Sequence, residues 1–172
     1  SNILADCKNL KVVGRAGVGV DNVDLETATK NKILVMNTPL GNLEATAELT
    51  IGLMFSLYRH IHLANQSTHD GKWEKPKFMG TELKGKTLGI VGFGNIGQRV
   101  AEMASVIGMN IITNSNSASD EDLSKLGASK VSTEQLLTDS DIVSLHTKLN
   151  DDTKNILNKT SIATMKPSAV II

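Results

Sequence analysis

Residues 87–100 constrain what this chain can fold into more than any other stretch. Leu88, Ile90 and Val91 form a short apolar run with strand character, the run stops at Gly92, and a helical pattern starts directly afterwards. Between the two stand Gly92, Gly94 and Gly97, at G-x-G-x-x-G spacing. Each glycine has its own task in such a turn. The first permits a tight bend, the second lets backbone approach a pyrophosphate, and the third lets the helix pack closely on the strand. The phosphates then face the free N–H groups and the positive dipole end of the helix. The spacing by itself is a weak signal. The strand before it and the helix after it are the context that gives it weight.

The rest of the chain reads as strands alternating with helices. Leu10, Lys11, Val12 and Val13 make a short strand. A glycine-spaced loop over 14–20 follows, containing Gly14, Arg15, Gly17, Val18 and Gly19. Such a loop exposes N–H groups and can hold an anion; it is equally a plain strand-to-helix turn. Asp24 is placed to cap a helix over 25–29, and 33–36 is the next strand, ended by Asn37, Thr38 and Pro39. A long helix is expected over 43–65. Its apolar residues (Leu43, Leu49, Ile51, Leu53, Met54, Phe55, Leu57, Ile61, Leu63) cover more than one face, which predicts burial on several sides. That burial lies between two domains, against a second copy, or in an ordinary core.

Residues 70–86 are polar and irregular, a loop expected to be pinned by Trp73, Phe78 and Met79. Beyond the glycine turn come helix 95–107, strand 110–113, a helix beginning near Ser119 with Gly127 past its end, and a short strand at Val131. A capping-box start at Ser132 leads into the next helix, followed by strand 142–145, helix 158–165 and a final strand over 169–172. This alternation argues for an α/β fold with a parallel, doubly wound sheet.

Bulk properties exclude several classes. Lys and Arg total 18 and Asp and Glu total 18, so no basic footprint marks nucleic acid as a partner. Cys7 is the only cysteine, an inert thiol that points to a reducing compartment. No apolar run approaches the roughly 20 residues of a membrane helix, and no secretory leader is visible, so the expected location is the cytoplasm. The chain starts without methionine and stops inside an apolar strand, which reads as part of a longer protein.

Several further motifs carry a family resemblance. They are Gly14-Arg15-Ala16-Gly17-Val18-Gly19-Val20-Asp21-Asn22-Val23-Asp24, Val35-Met36-Asn37-Thr38-Pro39, Gly71-Lys72-Trp73-Glu74, Lys77-Phe78-Met79-Gly80, Glu82-Leu83-Lys84-Gly85-Lys86-Thr87-Leu88-Gly89 and His146-Thr147, together with the glycine turn. Over nearly its whole length the chain resembles the D-isomer-specific 2-hydroxyacid dehydrogenases, most closely their phosphoglycerate-acting branch. The resemblance implies a two-domain, NAD-linked enzyme acting on a small phosphorylated 2-hydroxy acid. Residues 1–39 would be the end of a flavodoxin-like substrate domain. Residues 40–172 would be an interdomain helix and the first part of a Rossmann-like doubly wound NAD-binding domain, its sheet incomplete. A homodimer or homotetramer would form through the helix around 43–65. Asn95 and Ile96 would offer backbone to the pyrophosphate, and Thr147 would lie on the adenosine side. Arg15, Gly17 and Val18 would hold the substrate's anionic group, with Val18 near the nicotinamide. Other members consistent with these motifs are glyoxylate or hydroxypyruvate reductases and NAD-sensing corepressor scaffolds.

Three departures from the family pattern stand out. The aspartate that usually follows the second nucleotide-domain strand and bonds the ribose hydroxyls is replaced by Ser115, within Thr113-Asn114-Ser115-Asn116. Serine can still bond a ribose hydroxyl, but it does not repel a 2′-phosphate. Lys148 stands where the family has proline, which loosens the loop after that strand. The family's catalytic arginine, glutamate and histidine would all lie beyond Ile172. His146, at a strand's carboxyl end, is read as structural or adenosine-side rather than as the acid. His60, His62 and His69, with no cysteine nearby, make no metal site, and Asp21 and Asp24 are turn and cap residues.

Overall fold

The computed structural model describes residues 2–115, 118–151 and 153–172. The chain forms two compact units, Ser1–Leu43 and Glu44–Ile172. In the first, α1 (Asn2–Asp6) precedes a parallel pair, β1 (Val12–Arg15) and β2 (Leu34–Asn37), joined through α2 (Leu25–Lys30). Asp24 caps α2 as expected, accepting the Thr27 N–H at 2.9 Å. Strand β1 begins and ends two residues later than the apolar run suggested, because pairing with β2 carries it through Gly14 and Arg15. Arg15 is therefore the last strand residue, not a loop residue.

The second unit is built on a five-stranded, fully parallel sheet of order β5-β4-β3-β6-β7. Its strands are β3 (Thr87–Val91), β4 (Asn110–Thr113), β5 (Ala128–Lys130), β6 (Ile142–Leu145) and β7 (Val170–Ile171). Strand β3 is central and buried on both faces, which explains its unbroken apolar run. Helices α3 (Leu43–Tyr58), α5 (Asn95–Ile107) and α6 (Asp120–Lys125) cover one face, packing Ala47, Met54, Val100, Ala104 and Leu123 on Leu88, Ile90 and Ile111. On the other face, Leu136 and Leu137 of α7 (Thr133–Asp139) meet Val91 and Val143. Helices on both faces of a parallel sheet in this order make the doubly wound fold, with its switch point between β3 and β6.

Several local expectations change. The single helix over 43–65 is two, α3 and α4 (Ile61–His69). The break has a cause in the packing. Thr81 N–H donates to the Tyr58 carbonyl at 2.8 Å, taking an acceptor that a continuous helix would use internally, and His60 adopts a left-handed conformation at φ 53°. Helix α3 buries one face, through Ala47, Thr50 and Met54, rather than several. Leu49, Leu53 and Leu57, at i, i+4 and i+8, remain 62%, 43% and 40% exposed.

The loop over 70–86 contains a short 3₁₀ turn (Lys75–Phe78), and of its three expected anchors Phe78 is half-buried while the other two are not buried. Trp73 and Met79 are 84% and 81% exposed, and Leu83, at 3%, is the anchor. Val131 lies just past β5, though its N–H still donates to Thr113. The Ser132 cap is half a box: its hydroxyl accepts Gln135 N–H at 3.1 Å, while the Gln135 amide turns to Asp139. A complete box forms instead at α8 (Lys159–Ala163), between Asn158 and Ser161. No helix among the described residues is long and apolar enough to cross a membrane. No metal-binding group of His, Cys, Asp and Glu is found among them either.

Candidate functional site

The carboxyl edge of the parallel sheet brings together most of the residues singled out above. Strand β3 ends at Val91 and the chain turns through Gly92 at φ 90°, a conformation that favours glycine. A Cβ there would also lie 2.7 Å from the His146 carbonyl oxygen and 2.8 Å from Thr147 N. The first glycine thus answers both to backbone torsion and to the close approach of the chain leaving β6.

Gly97 is required by packing alone. It is buried in the first turn of α5, and a Cβ on it would overlap the Gly92 carbonyl oxygen and come 3.2 Å from Ile90 Cγ2. Gly94 differs from both. Its backbone, φ −77° and ψ −167°, is open to any residue, and a Cβ on it would meet nothing within 4 Å. That space faces the start of α5.

The first bond that closes α5 runs from Gln98 N–H to the Gly94 carbonyl at 2.9 Å. The N–H groups of Asn95, Ile96 and Gly97 therefore head the helix, beside exposed Gly94 and Asn95. Phe93, 2% exposed, anchors the turn in the core, and the Gln98 amide donates to its carbonyl at 3.2 Å. Open N–H donors at a helix N-terminus with room for an anion are what a pyrophosphate needs. The residues present fit a dinucleotide.

Two other strand ends flank the turn. Thr113 closes β4 with its hydroxyl donating to the Ile90 carbonyl at 2.8 Å, and Ser115 N–H donates to the Thr113 hydroxyl at 3.3 Å. Ser115 itself is largely buried; Asn116, which follows it, lies outside the described residues. The Asn114 amide donates to the Thr133 hydroxyl at 3.0 Å, tying the end of β4 to the start of α7.

On the other side, His146 N–H donates to the Val91 carbonyl at 2.8 Å, and its Nε2 lies 2.8 Å from the hydroxyl of fully buried Ser144. Burial pushes the His146 pKa below its ordinary value, so the ring sits neutral against Ser144. Thr147 is exposed beside Gly92. Past Lys148, the loop is closed by Asn150 and Thr153, whose N–H donates to the Asn150 side-chain oxygen at 2.9 Å.

The first unit presents a cleft of its own, of about 520 Å³, lined among others by Arg15, Gly17, Val18, Gly19, Asp21 and Thr38. Thr38 N–H donates to the Gly17 carbonyl at 3.0 Å and Asn37 Nδ2 to the Val18 carbonyl at 2.7 Å, so the loop is held to the end of β2. The Arg15 guanidinium folds over Gly17, where any Cβ would collide with it. Among the described residues no carboxylate pairs with Arg15. A guanidinium with no ion pair among the described residues can take a carboxylate or phosphate.

Two contributors were not singled out by sequence reasoning. Gly89 lies mid-β3, where a Cβ would overlap the Ser140 hydroxyl and come 2.7 Å from Leu136 Cδ2, so α7 seats directly on the strand there. An isolated glycine inside a strand pattern was the available signal. Asp141, at the opposite edge, accepts Thr87 N–H at 2.8 Å and the Lys166 ammonium at 2.9 Å, while its carbonyl accepts the Tyr58 hydroxyl at 3.0 Å. It staples α3 to the sheet, a long-range role with no local sequence mark.

Comparison with known proteins gives a consistent picture. Residues 51–172 match the family model described as D-isomer specific 2-hydroxyacid dehydrogenase, NAD binding domain. The hydroxypyruvate reductase of Thermotoga maritima is 44% identical over 172 residues, covering 100% of this chain and 55% of that protein. The D-3-phosphoglycerate dehydrogenase of Bacillus subtilis is 43% identical over 164 residues, 95% of this chain and 31% of that protein. Among solved structures, a D-lactate dehydrogenase from Aquifex aeolicus complexed with NAD and lactic acid superposes with a TM-score of 0.87. It is 28% identical, covering 99% of this chain and 51% of that one. The chain thus spans between about a third and about half the length of these proteins.

Proposed function

This chain belongs to the D-isomer-specific 2-hydroxyacid dehydrogenase family, and we propose that the complete protein oxidises D-3-phosphoglycerate to 3-phosphohydroxypyruvate with NAD, a step towards serine. NAD is the cofactor of the family's nucleotide domain. When bound, it takes the hydride from the 2-carbon of the hydroxy acid. The residues of this chain do the holding. The N–H groups of Asn95, Ile96 and Gly97 receive the pyrophosphate in the space beside Gly94. Ser115 and Thr147 border the adenosine half. Arg15 and the Gly17–Val18 backbone receive the substrate's anionic end.

The observation that carries the substrate half of this reading is the Arg15 cleft, lined by a guanidinium with no carboxylate ion pair among the described residues. A second reading, reduction of unphosphorylated hydroxypyruvate or glyoxylate, is favoured by the 44% identity to the Thermotoga reductase. We place the protein in the cytoplasm, as a homodimer or homotetramer joined through the exposed Leu49, Leu53 and Leu57 stripe of α3. The deciding experiment uses the full-length protein and NADH with phosphohydroxypyruvate, hydroxypyruvate and glyoxylate. The highest kcat/KM is expected for the phosphorylated keto acid; a preference for either of the others replaces the first reading with the second.

A further inference from the structure

We propose that the nucleotide edge of this protein accepts the 2′-phosphorylated dinucleotide NADP(H) as well as NAD(H), with Lys130 as the cation that receives the 2′-phosphate. The inference rests on the dinucleotide reading above and extends it to the ribose end. In a doubly wound domain, selection against a 2′-phosphate comes from a carboxylate at the end of the second strand, which repels the added charge. Here that strand is β4, and its end reads Thr113-Asn114-Ser115, with no acid.

What the neighbouring strand supplies is a positive charge. Lys130 is the last residue of β5 and pairs in register with Thr113, two residues before Ser115. Parallel neighbours lie roughly 4.8 Å apart, so a lysine side chain on β5 is long enough to span to the end of β4. The two strand ends are clamped together by Val131 N–H donating to the Thr113 carbonyl at 2.9 Å and by the Asn114 amide on the Thr133 hydroxyl at 3.0 Å. The glycine turn, Ser115 and Lys130 therefore follow one another along a single carboxyl edge, over β3, β4 and β5 in that order.

Lys130 is exposed, and among the described residues no ion pair engages it. Glu134, the nearest acid along the chain, is not paired with it. An ammonium left free beside a ribose site without a carboxylate suits a dianionic phosphate.

The test is titration of the full-length protein with NADH and with NADPH by calorimetry, in the wild type, Lys130→Ala, Lys130→Arg and Ser115→Asp. The wild type is expected to bind NADPH within about tenfold of NADH. Lys130→Ala should weaken NADPH alone by about tenfold, the size of one charge-assisted hydrogen bond, and Lys130→Arg should keep it. Ser115→Asp should shift the ratio towards NADH. NADPH binding about a hundredfold or more weaker than NADH in the wild type overturns the proposal. So does a Lys130→Ala effect that is absent or equal for both nucleotides, the behaviour of a merely solvated lysine. If NADH binds and NADPH does not, this inference alone falls; if neither binds, the dinucleotide reading falls with it.

Discussion

Alanine at Gly94 and alanine at Gly97 should fail in opposite ways, although the two glycines stand three residues apart in one turn. At Gly97 a methyl group overlaps the Gly92 carbonyl oxygen and presses on Ile90 Cγ2 at 3.2 Å. The main obstacle is backbone, which cannot rotate aside, so α5 must lift from β3. Overpacking of this kind costs about 1–3 kcal/mol. Alanine's better helix propensity returns roughly 0.5–1 kcal/mol of that. The net loss is about 1–2 kcal/mol, or about 2–8 °C in thermal midpoint for a domain of this size.

At Gly94 the backbone is ordinary and the added methyl meets no protein atom within 4 Å. The fold loses at most about 1 kcal/mol, through a poorer N-cap. The dinucleotide suffers instead, because the methyl occupies the space where the pyrophosphate approaches the N–H groups of α5. Losing one charge-assisted hydrogen bond there weakens NADH by about ten- to a hundredfold. The assay pairs thermal denaturation with NADH titration for each variant of the full-length protein. NADH affinity in Gly94→Ala within about threefold of wild type would refute the ligand role of that space. An unchanged midpoint in Gly97→Ala would refute the packing argument.

Three further outcomes follow from the described contacts. Burial raises the Asp141 pKa, but Thr87 N–H and the Lys166 ammonium outweigh it and hold the carboxyl below its ordinary value. Its stabilisation is therefore present above the unfolded pKa near about 3.9 and lost as pH falls through the lower folded value. Asp141→Asn should lower stability by about 1–3 kcal/mol at neutral pH and by progressively less below pH ~4, and a pH-independent difference between the melting curves counts against this. For His146, burial lowers the folded pKa, so below the unfolded value of about 6.5 the unfolded chain binds a proton that the folded chain does not. Stability should fall with acidity there by at most about 1.4 kcal/mol per pH unit, and His146→Gln should flatten that slope between pH ~5 and ~7; parallel curves for the two proteins would rule it out. His60→Gly should relieve the left-handed strain at φ 53° and raise stability by about 0.5–1 kcal/mol in denaturant titration, whereas a loss would mean that the His60 side chain holds the α3–α4 junction.

Where a function of the backbone depends on residue type at close range, it could be read before folding. The glycine turn is the clearest case, since Gly92, Gly94 and Gly97 each occupy the geometry their spacing implied, one by torsion, one by open space and one by helix–strand contact. The caps at Asp24 and Ser132 were visible for the same reason, because a side-chain oxygen reaches an N–H only three residues on. The parallel sheet followed from the alternation of short strands with helices, since a crossover helix between consecutive strands sets them parallel.

What escaped the sequence was set by partners far along the chain. Helical periodicity through Arg59 and His60 is unexceptional, and the break comes from Thr81, more than twenty residues later, taking the Tyr58 carbonyl. Trp73 and Met79 had the composition of anchors yet stand exposed, because burial is decided by what lies opposite and not by side-chain size. The same limit applies to charge. Nothing local distinguishes Lys130 from the other lysines of the chain. Only the register that sets it beside Thr113, over a strand end whose usual acid is Ser115, makes its charge bear on which dinucleotide the edge will hold.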